Sequence, residues 1–212
     1  MELIDFILHV DKHLETFIQN YNTGVYVLLF LIVFVETGLV VMPFLPGDSL
    51  LFAVGMLAAK GFLSIELSIG LMFLAAFLGD NCNYFMGKYF GEKIVNFKLF
   101  GKTLVKQAYI DKTQAYYDQN GAQTVIIARF IPIVRTFAPF VAGVGKMPYF
   151  KFLKFSLIGA VLWVVGISLA GYFLGSIPIV KENFEKVVIG IVLISVLPIV
   201  YKLFTQKEET KA

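Results

Sequence analysis

The chain has 212 residues, of which 58% are hydrophobic and 22 are phenylalanine, and its mean hydropathy is +0.78. That is more apolar surface than a soluble domain of this length can hide, so the class is integral membrane. A formal charge of +3 gives no case for nucleic acid, and a single cysteine, Cys82, excludes an intrachain disulfide and a cysteine metal cluster.

The start does not read as a cleavable signal peptide, because Glu2, Asp5 and Asp11 occupy the place of a basic leader. Residues 1–23 instead carry Leu3, Phe6, Ile7, Val10, Leu14, Phe17 and Ile18 at helical spacing. An amphipathic helix lying in the membrane interface fits that pattern. His9 and His13 stand four apart, but with no carboxylate set in a ligand pattern they belong to the polar face, and neither metal nor cofactor is expected.

A single membrane domain is expected over 24–205, followed by a polar tail over 205–212. Its first part, 24–57, is longer than a span requires. Pro43, Pro46 and Gly47 interrupt it, and Glu36 and Asp48 place two acids inside it. A re-entrant hairpin, or one span followed by a half-span, accounts for these features; the choice decides whether the termini share a side. Asp48 follows the proline turn, which makes it either the N-cap of a helix from Ser49 or a proton carrier.

Residues 62–87 read as a spanning helix with Asp80, Asn81 and Asn83 near its end. Residues 88–121 form a basic linker in which Lys98, Lys102 and Lys106 stand at four-residue spacing. That spacing predicts an amphipathic surface helix on an anionic cytoplasmic leaflet. Spans follow over 149–175 and 187–204. Trp163 lies well inside the first of these, which suggests packing rather than an interfacial anchor.

The stretch 124–145 between linker and span is almost wholly apolar, yet it holds Arg129 and Arg135, the only arginines of the chain. Pro132 and Pro139 interrupt any helix here. On a continuous helix the two arginines would stand about 120° apart; a break at Pro132 brings both to one cavity. Guanidiniums remain charged and bind carboxylate or phosphate in a bidentate manner, so two of them in a broken apolar segment predict a buried anion site. The alternative is that they are fixed ion-pair partners of Glu36 and Asp48, which is expensive in a low dielectric. Asp80 is a third candidate acid.

Phe52-Ala53-Val54-Gly55 returns as Phe140-Val141-Ala142-Gly143, and Tyr84-Phe85-Met86-Gly87 as Tyr172-Phe173-Leu174-Gly175, both at an offset of 88 residues. If each copy contains one full crossing, the second copy is upside down, the inverted-repeat plan of secondary transporters. The expected fold is therefore an all-α integral membrane protein, with re-entrant segments, spanning helices and amphipathic surface helices.

Three blocks carry a family likeness: ETGLVVMPFLPGDSLL at Glu36–Leu51, GDNCNYFMGKYFG at Gly79–Gly91, and RFIPIVRTFAPFVAG at Arg129–Gly143. They resemble the DedA family, also called the SNARE-associated or VTT-domain family. The resemblance spans about residues 24–174. It implies a bacterial inner-membrane protein with two re-entrant hairpins meeting head to head. It also implies translocation of a lipid such as undecaprenyl phosphate or phosphatidylethanolamine, linked to the proton-motive force. The family's acid pair and arginine pair carry over to Glu36, Asp48, Arg129 and Arg135.

On this reading the partners are a membrane lipid with a phosphate head group and protons, with no nucleic acid, and an oligomer is compatible. Arg129 and Arg135 hold the phosphate, while Glu36 and Asp48 exchange protons or re-pair the arginines. A small-cation/proton antiporter using the same acids is the competing function. A lipid phosphatase is disfavoured, because the two histidines lie far along the chain from the arginines and no metal-like carboxylate pair is present.

Overall fold

The computed structural model describes residues 10–39, 47–96, 98–99, 102–103 and 107–182. Within them the chain is helical, except for one short antiparallel pairing. The elements are α1 (Val10–Gly38), α2 (Gly47–Ala59), α3 (Ile65–Asn96), β1 (Lys98–Leu99), β2 (Lys102–Thr103), α4 (Gln107–Asn120), α5 (Thr124–Ala128), α6 (Pro132–Val144), α7 (Tyr149–Ser176) and α8 (Pro178–Glu182). Among the described residues two stretches are long and apolar enough to cross a bilayer, Ile65–Gly91 and Tyr149–Ser176. The apolar parts of α1, α2 and α6 are shorter than the ~20 residues a span needs.

Several boundaries differ from those expected. Helix α1 runs unbroken through residue 23, so the first amphipathic segment and the following apolar run share one helix. Helix α3 starts at Ile65, where Ser64 caps it by accepting from the Leu67 amide at 3.2 Å, and it continues to Asn96. Lys98 and Lys102 do not share a helix face: Lys98 pairs with Thr103 and Leu99 with Lys102 across β1 and β2. Pro43, Pro46, Lys106, the 187–204 span and the tail lie outside the described residues, as does His9.

The two prolines of the arginine stretch behave differently. Pro132 opens α6 at its first position, where the missing N–H costs nothing. Ile131 before it is extended, at φ −121° and ψ 105°, as the ring of a following proline requires. Pro139, by contrast, lies inside α6 and does not end it. Its φ is helical by constitution, so it removes one ladder bond. Buried packing of Ala138, Phe140, Val141 and Ala142 holds the turns on either side.

The chain divides into two compact units. The first comprises Met1–Leu28, Pro46–Ile69 and Ile167–Ala212. In it α2 lies against the last turns of α7 so closely that a Cβ on Gly55 would collide with the Ser168 carbonyl and stand 2.8 Å from the Tyr172 nitrogen. The second unit comprises Leu29–Leu45 and Gly70–Gly166. There α6 lies against the last turns of α3, and a Cβ on Gly143 would collide with the Tyr84 carbonyl and stand 2.7 Å from the Lys88 nitrogen. The unit's core gathers Tyr84, Val125, Ala142 and Phe152. Tyr84 and Phe152 stack at 4.5 Å, and the Tyr84 hydroxyl donates to the Met147 carbonyl at 2.5 Å.

These contacts leave no room for a methyl group. Gly143→Ala should lower stability by about 1–3 kcal/mol through overpacking. Gly166→Ala, at an exposed helix position with nothing within 4 Å, should be neutral or gain up to about 1 kcal/mol of helix propensity. Thermal unfolding of the two variants in the same detergent checks the contrast.

Candidate functional site: a buried double ion pair

The second unit brings together four charged groups from four segments. Glu36 lies in the last turn of α1 and Asp80 on α3. Arg129 stands at the break after α5, and Arg135 in the first turn of α6. Their exposures are only 2%, 4%, 3% and 7%, so each has lost its water and must be matched within the protein. The Arg135 Nη2 pairs with the Glu36 Oε1 at 2.5 Å, and the Arg129 Nη2 pairs with the Asp80 Oδ2. Ser156 on α7 donates its hydroxyl to the same Asp80 oxygen at 2.6 Å.

The backbone break is what lets both arginines serve one site. Arg129, Phe130 and Ile131 leave the helical path in a turn closed by amide bonds to Ile126, Ile127 and Ala128, and the chain re-enters helix at Pro132. Both guanidiniums then lie against the Trp163 ring, with the Arg129 Cζ at 5.8 Å and the Arg135 Cζ at 4.9 Å from its centroid. Trp163 is wholly buried, which agrees with a packing role over an interfacial one.

Neutral groups fix the frame around the charges. Asn83, one turn beyond Asp80 on the same face of α3, donates to the Thr37 carbonyl at 3.1 Å and the Thr136 carbonyl at 2.8 Å. It thereby supplies a donor to a carbonyl in the last turn of α1, where helical partners run out. A Cβ on Gly159 would stand 3.0 Å from the Arg129 Nε and 3.3 Å from the Ile126 Cα, so this glycine makes room for the arginine stem. On α4, Tyr117 donates to the Ala138 carbonyl at 2.8 Å. Burial, reinforced by the Asp80 carboxylate, pushes its phenol above the ordinary value and keeps it a donor.

The ion pairs do not exhaust the donors. The Arg129 Nε and Nη1 have no hydrogen-bond partner among the described residues. A guanidinium has five N–H bonds, and leaving several unmade in a dry site is costly.

Of the acids expected here, Glu36 and Asp80 hold the arginines. Asp48 is exposed in the first turn of α2, in the first unit. Glu36 thus pairs with Arg135, and Asp80, the third candidate acid, pairs with Arg129. Asp48 is not an N-cap preceding the helix, since α2 already includes Gly47. Of the helix-breaking residues, Pro132 and Gly47 stand at helix starts and Pro139 does not break its helix. Sequence reasoning missed Ser156 and Gly159, which belong to an ordinary apolar run, and gave Asn83 no role. Ser156, Gly159 and Trp163, spaced three and four apart, form one helical stripe that could have been noticed.

Broken apolar helices around two buried ion pairs, with two stretches long enough to cross a bilayer, are the features of a membrane protein. A VTT domain model matches residues 45–173. The chain is 49% identical over 210 residues to Protein DedA of Escherichia coli strain K12, covering 97% of this chain and 94% of that protein. It is 43% identical over 174 residues to an uncharacterized membrane protein of Mycobacterium tuberculosis strain H37Rv, covering 80% of this chain and 74% of the relative. It is 33% identical over 214 residues to Inner membrane protein YqjA of Escherichia coli strain K12, covering 96% and 93%. No solved structure gives a significant match. The chain belongs to the DedA family of VTT-domain membrane proteins.

Removing one member of a buried pair strands the other charge. Asp80→Asn should cost about 3–5 kcal/mol of stability, and the double variant Asp80→Asn, Arg129→Gln should recover most of it. Ser156→Ala should cost less, about 1–3 kcal/mol, because Asp80 retains its guanidinium. Denaturant or thermal unfolding of the three purified variants measures each step.

Proposed function

We propose that this protein is a lipid translocase of the bacterial inner membrane, carrying a phosphate-bearing lipid between leaflets without chemical conversion. Undecaprenyl phosphate and phosphatidylethanolamine are the substrates this reading favours. The observation that carries it is the buried pair of guanidiniums, each held by a carboxylate, with Arg129 retaining unused donors at Nε and Nη1. A phosphate oxygen satisfies such donors with charge-assisted bonds.

The charge balance suggests how protons enter. Two arginines against Glu36 and Asp80 are neutral overall. An arriving phosphate that takes over a guanidinium leaves a carboxylate buried and unpaired, and a proton restores neutrality. Release of the lipid returns the carboxylate to its arginine. Asp48, exposed in the first turn of α2, is assigned to proton exchange. Because both buried acids face guanidiniums, the arrangement suits an anion better than the small cation of an antiporter.

The repeat supports an alternating architecture. Phe52 and Phe140 stand 88 residues apart, and the carbonyl of each is approached by a glycine of a spanning helix, Gly171 and Gly87 respectively. Gly55 and Gly143 are related by the same offset and repeat the close approach. We read α2 and α6 as the deep arms of two re-entrant segments, each resting on the spanning helix of the other copy, in a multi-pass inverted repeat. Irregular backbone at membrane depth needs cover from protein or a wet cavity, and Ala128 and Arg129 in this segment are buried.

Reconstituted liposomes with a leaflet-specific labelled lipid phosphate test the proposal. The wild-type protein should accelerate transbilayer movement, and a pH gradient should change the rate. The double variant Arg129→Ala, Arg135→Ala should lose at least about tenfold, corresponding to more than about 1.4 kcal/mol. Unchanged movement in that variant overturns the reading.

A further inference from the structure

We infer that Trp163 is a positioning residue for the anion site, its indole face holding Arg129 and Arg135 where one head group can meet both. The inference rests on the lipid-phosphate reading of that site. Trp163 is the sole tryptophan of the chain and is wholly buried. Both guanidinium carbons lie within cation–π range of its ring, at 4.9 and 5.8 Å.

Two like charges against one ring repel each other in a medium that screens poorly. A third carboxylate would relieve that repulsion, but it would also occupy N–H donors and compete with the incoming anion. An aromatic face acts differently. Its quadrupole attracts a cation through the flat side of the guanidinium and leaves the N–H edge open. The unused Nε and Nη1 of Arg129 are consistent with support of that kind.

The rest of α7 is shaped to the same end. Ser156, Gly159 and Trp163 share one stripe. Ser156 holds Asp80 at 2.6 Å, Gly159 leaves room for the Arg129 side chain, whose Nε would stand 3.0 Å from a Cβ there, and Trp163 supports the two guanidiniums. One helix face thus sets the acid, the stem and the cation in order.

The test uses the full chain in phosphatidylcholine nanodiscs, with short-chain phosphatidic acid as the lipid phosphate and the matching diacylglycerol as control. Binding is measured by titration calorimetry for the wild type, Trp163→Phe and Trp163→Leu, with thermal unfolding of each. Trp163→Phe keeps an aromatic face and should bind within about threefold of wild type, whereas Trp163→Leu should bind about tenfold more weakly. Emission of the sole tryptophan should shift on adding phosphatidic acid and remain fixed with diacylglycerol.

Equal binding by Trp163→Leu overturns the inference and leaves the translocase reading intact, as does an emission spectrum unchanged at saturating phosphatidic acid. Absence of phosphatidic acid binding in the wild type overturns both. Should Trp163→Leu not fold, Trp163→Phe and the wild-type emission decide. Loss of binding in a folded Trp163→Phe then counts against an aromatic-face role.

Discussion

The structure of the second unit depends on the desolvation of two guanidiniums. A buried arginine cannot shed its charge, so the fold must bring an acid to each or leave several kcal/mol uncompensated. That demand explains why the end of α1 and the middle of α3 converge on the break between α5 and α6. Glu36 answers Arg135 and Asp80 answers Arg129. The neutral contacts follow from it: Asn83 joins the end of α1 to α6 through two carbonyls, and Gly159 lets α7 approach Arg129. None of these contacts is large in energy, but together they leave the charged groups little freedom.

Pro132 and Pro139 show how position decides what a proline does. At the first turn of α6 the ring costs nothing and forces Ile131 into extended backbone, which turns the chain between the arginines. Seven residues on, the same ring sits within packed helix and is absorbed. The difference lies in what surrounds each: Arg129 to Ile131 form a turn, whereas Ala138 to Ala142 are buried against neighbours. A break therefore needs a proline at a place where the following turns already have reason to change direction.

Much of this was legible in the residues. The apolar runs predict the spanning stretches of α3 and α7, and two arginines in such a run predict buried guanidiniums, which the structure matches with Glu36 and Asp80. The choice of acids was less accessible. Glu36 and Asp48 stand twelve residues apart in one motif and invite joint assignment, but Asp48 is exposed in the other unit. Asp80 stands near the end of the 62–87 run, and only the packing of α3 brings it to Arg129. The lysines at 98 and 102 match helical spacing, yet Lys98 pairs with Thr103 and Leu99 with Lys102 in an antiparallel ladder, whose period of two competes with the helical one. Ser156 and Gly159 carry no signal in composition, because their roles exist only opposite Asp80 and Arg129.

The 88-residue repeat sharpens the asymmetry of the molecule. The glycine approaches repeat between the copies, so the packing of a short helix on a spanning helix is held in both. The charges are not. At that offset Asp80 corresponds to Ser168, Arg135 to Gly47 and Asp48 to Thr136. Ser168 is buried, as Asp80 is, but a hydroxyl needs no counter-charge, and a glycine supplies none. Among the described residues both buried arginine–carboxylate pairs lie in the second unit, whereas close glycine packing is present in each. Close packing of a short helix on a spanning helix needs only a small residue at the contact, so it recurs at both places, whereas a buried ion pair needs acid and base brought together from separate elements and does not follow from the backbone alone.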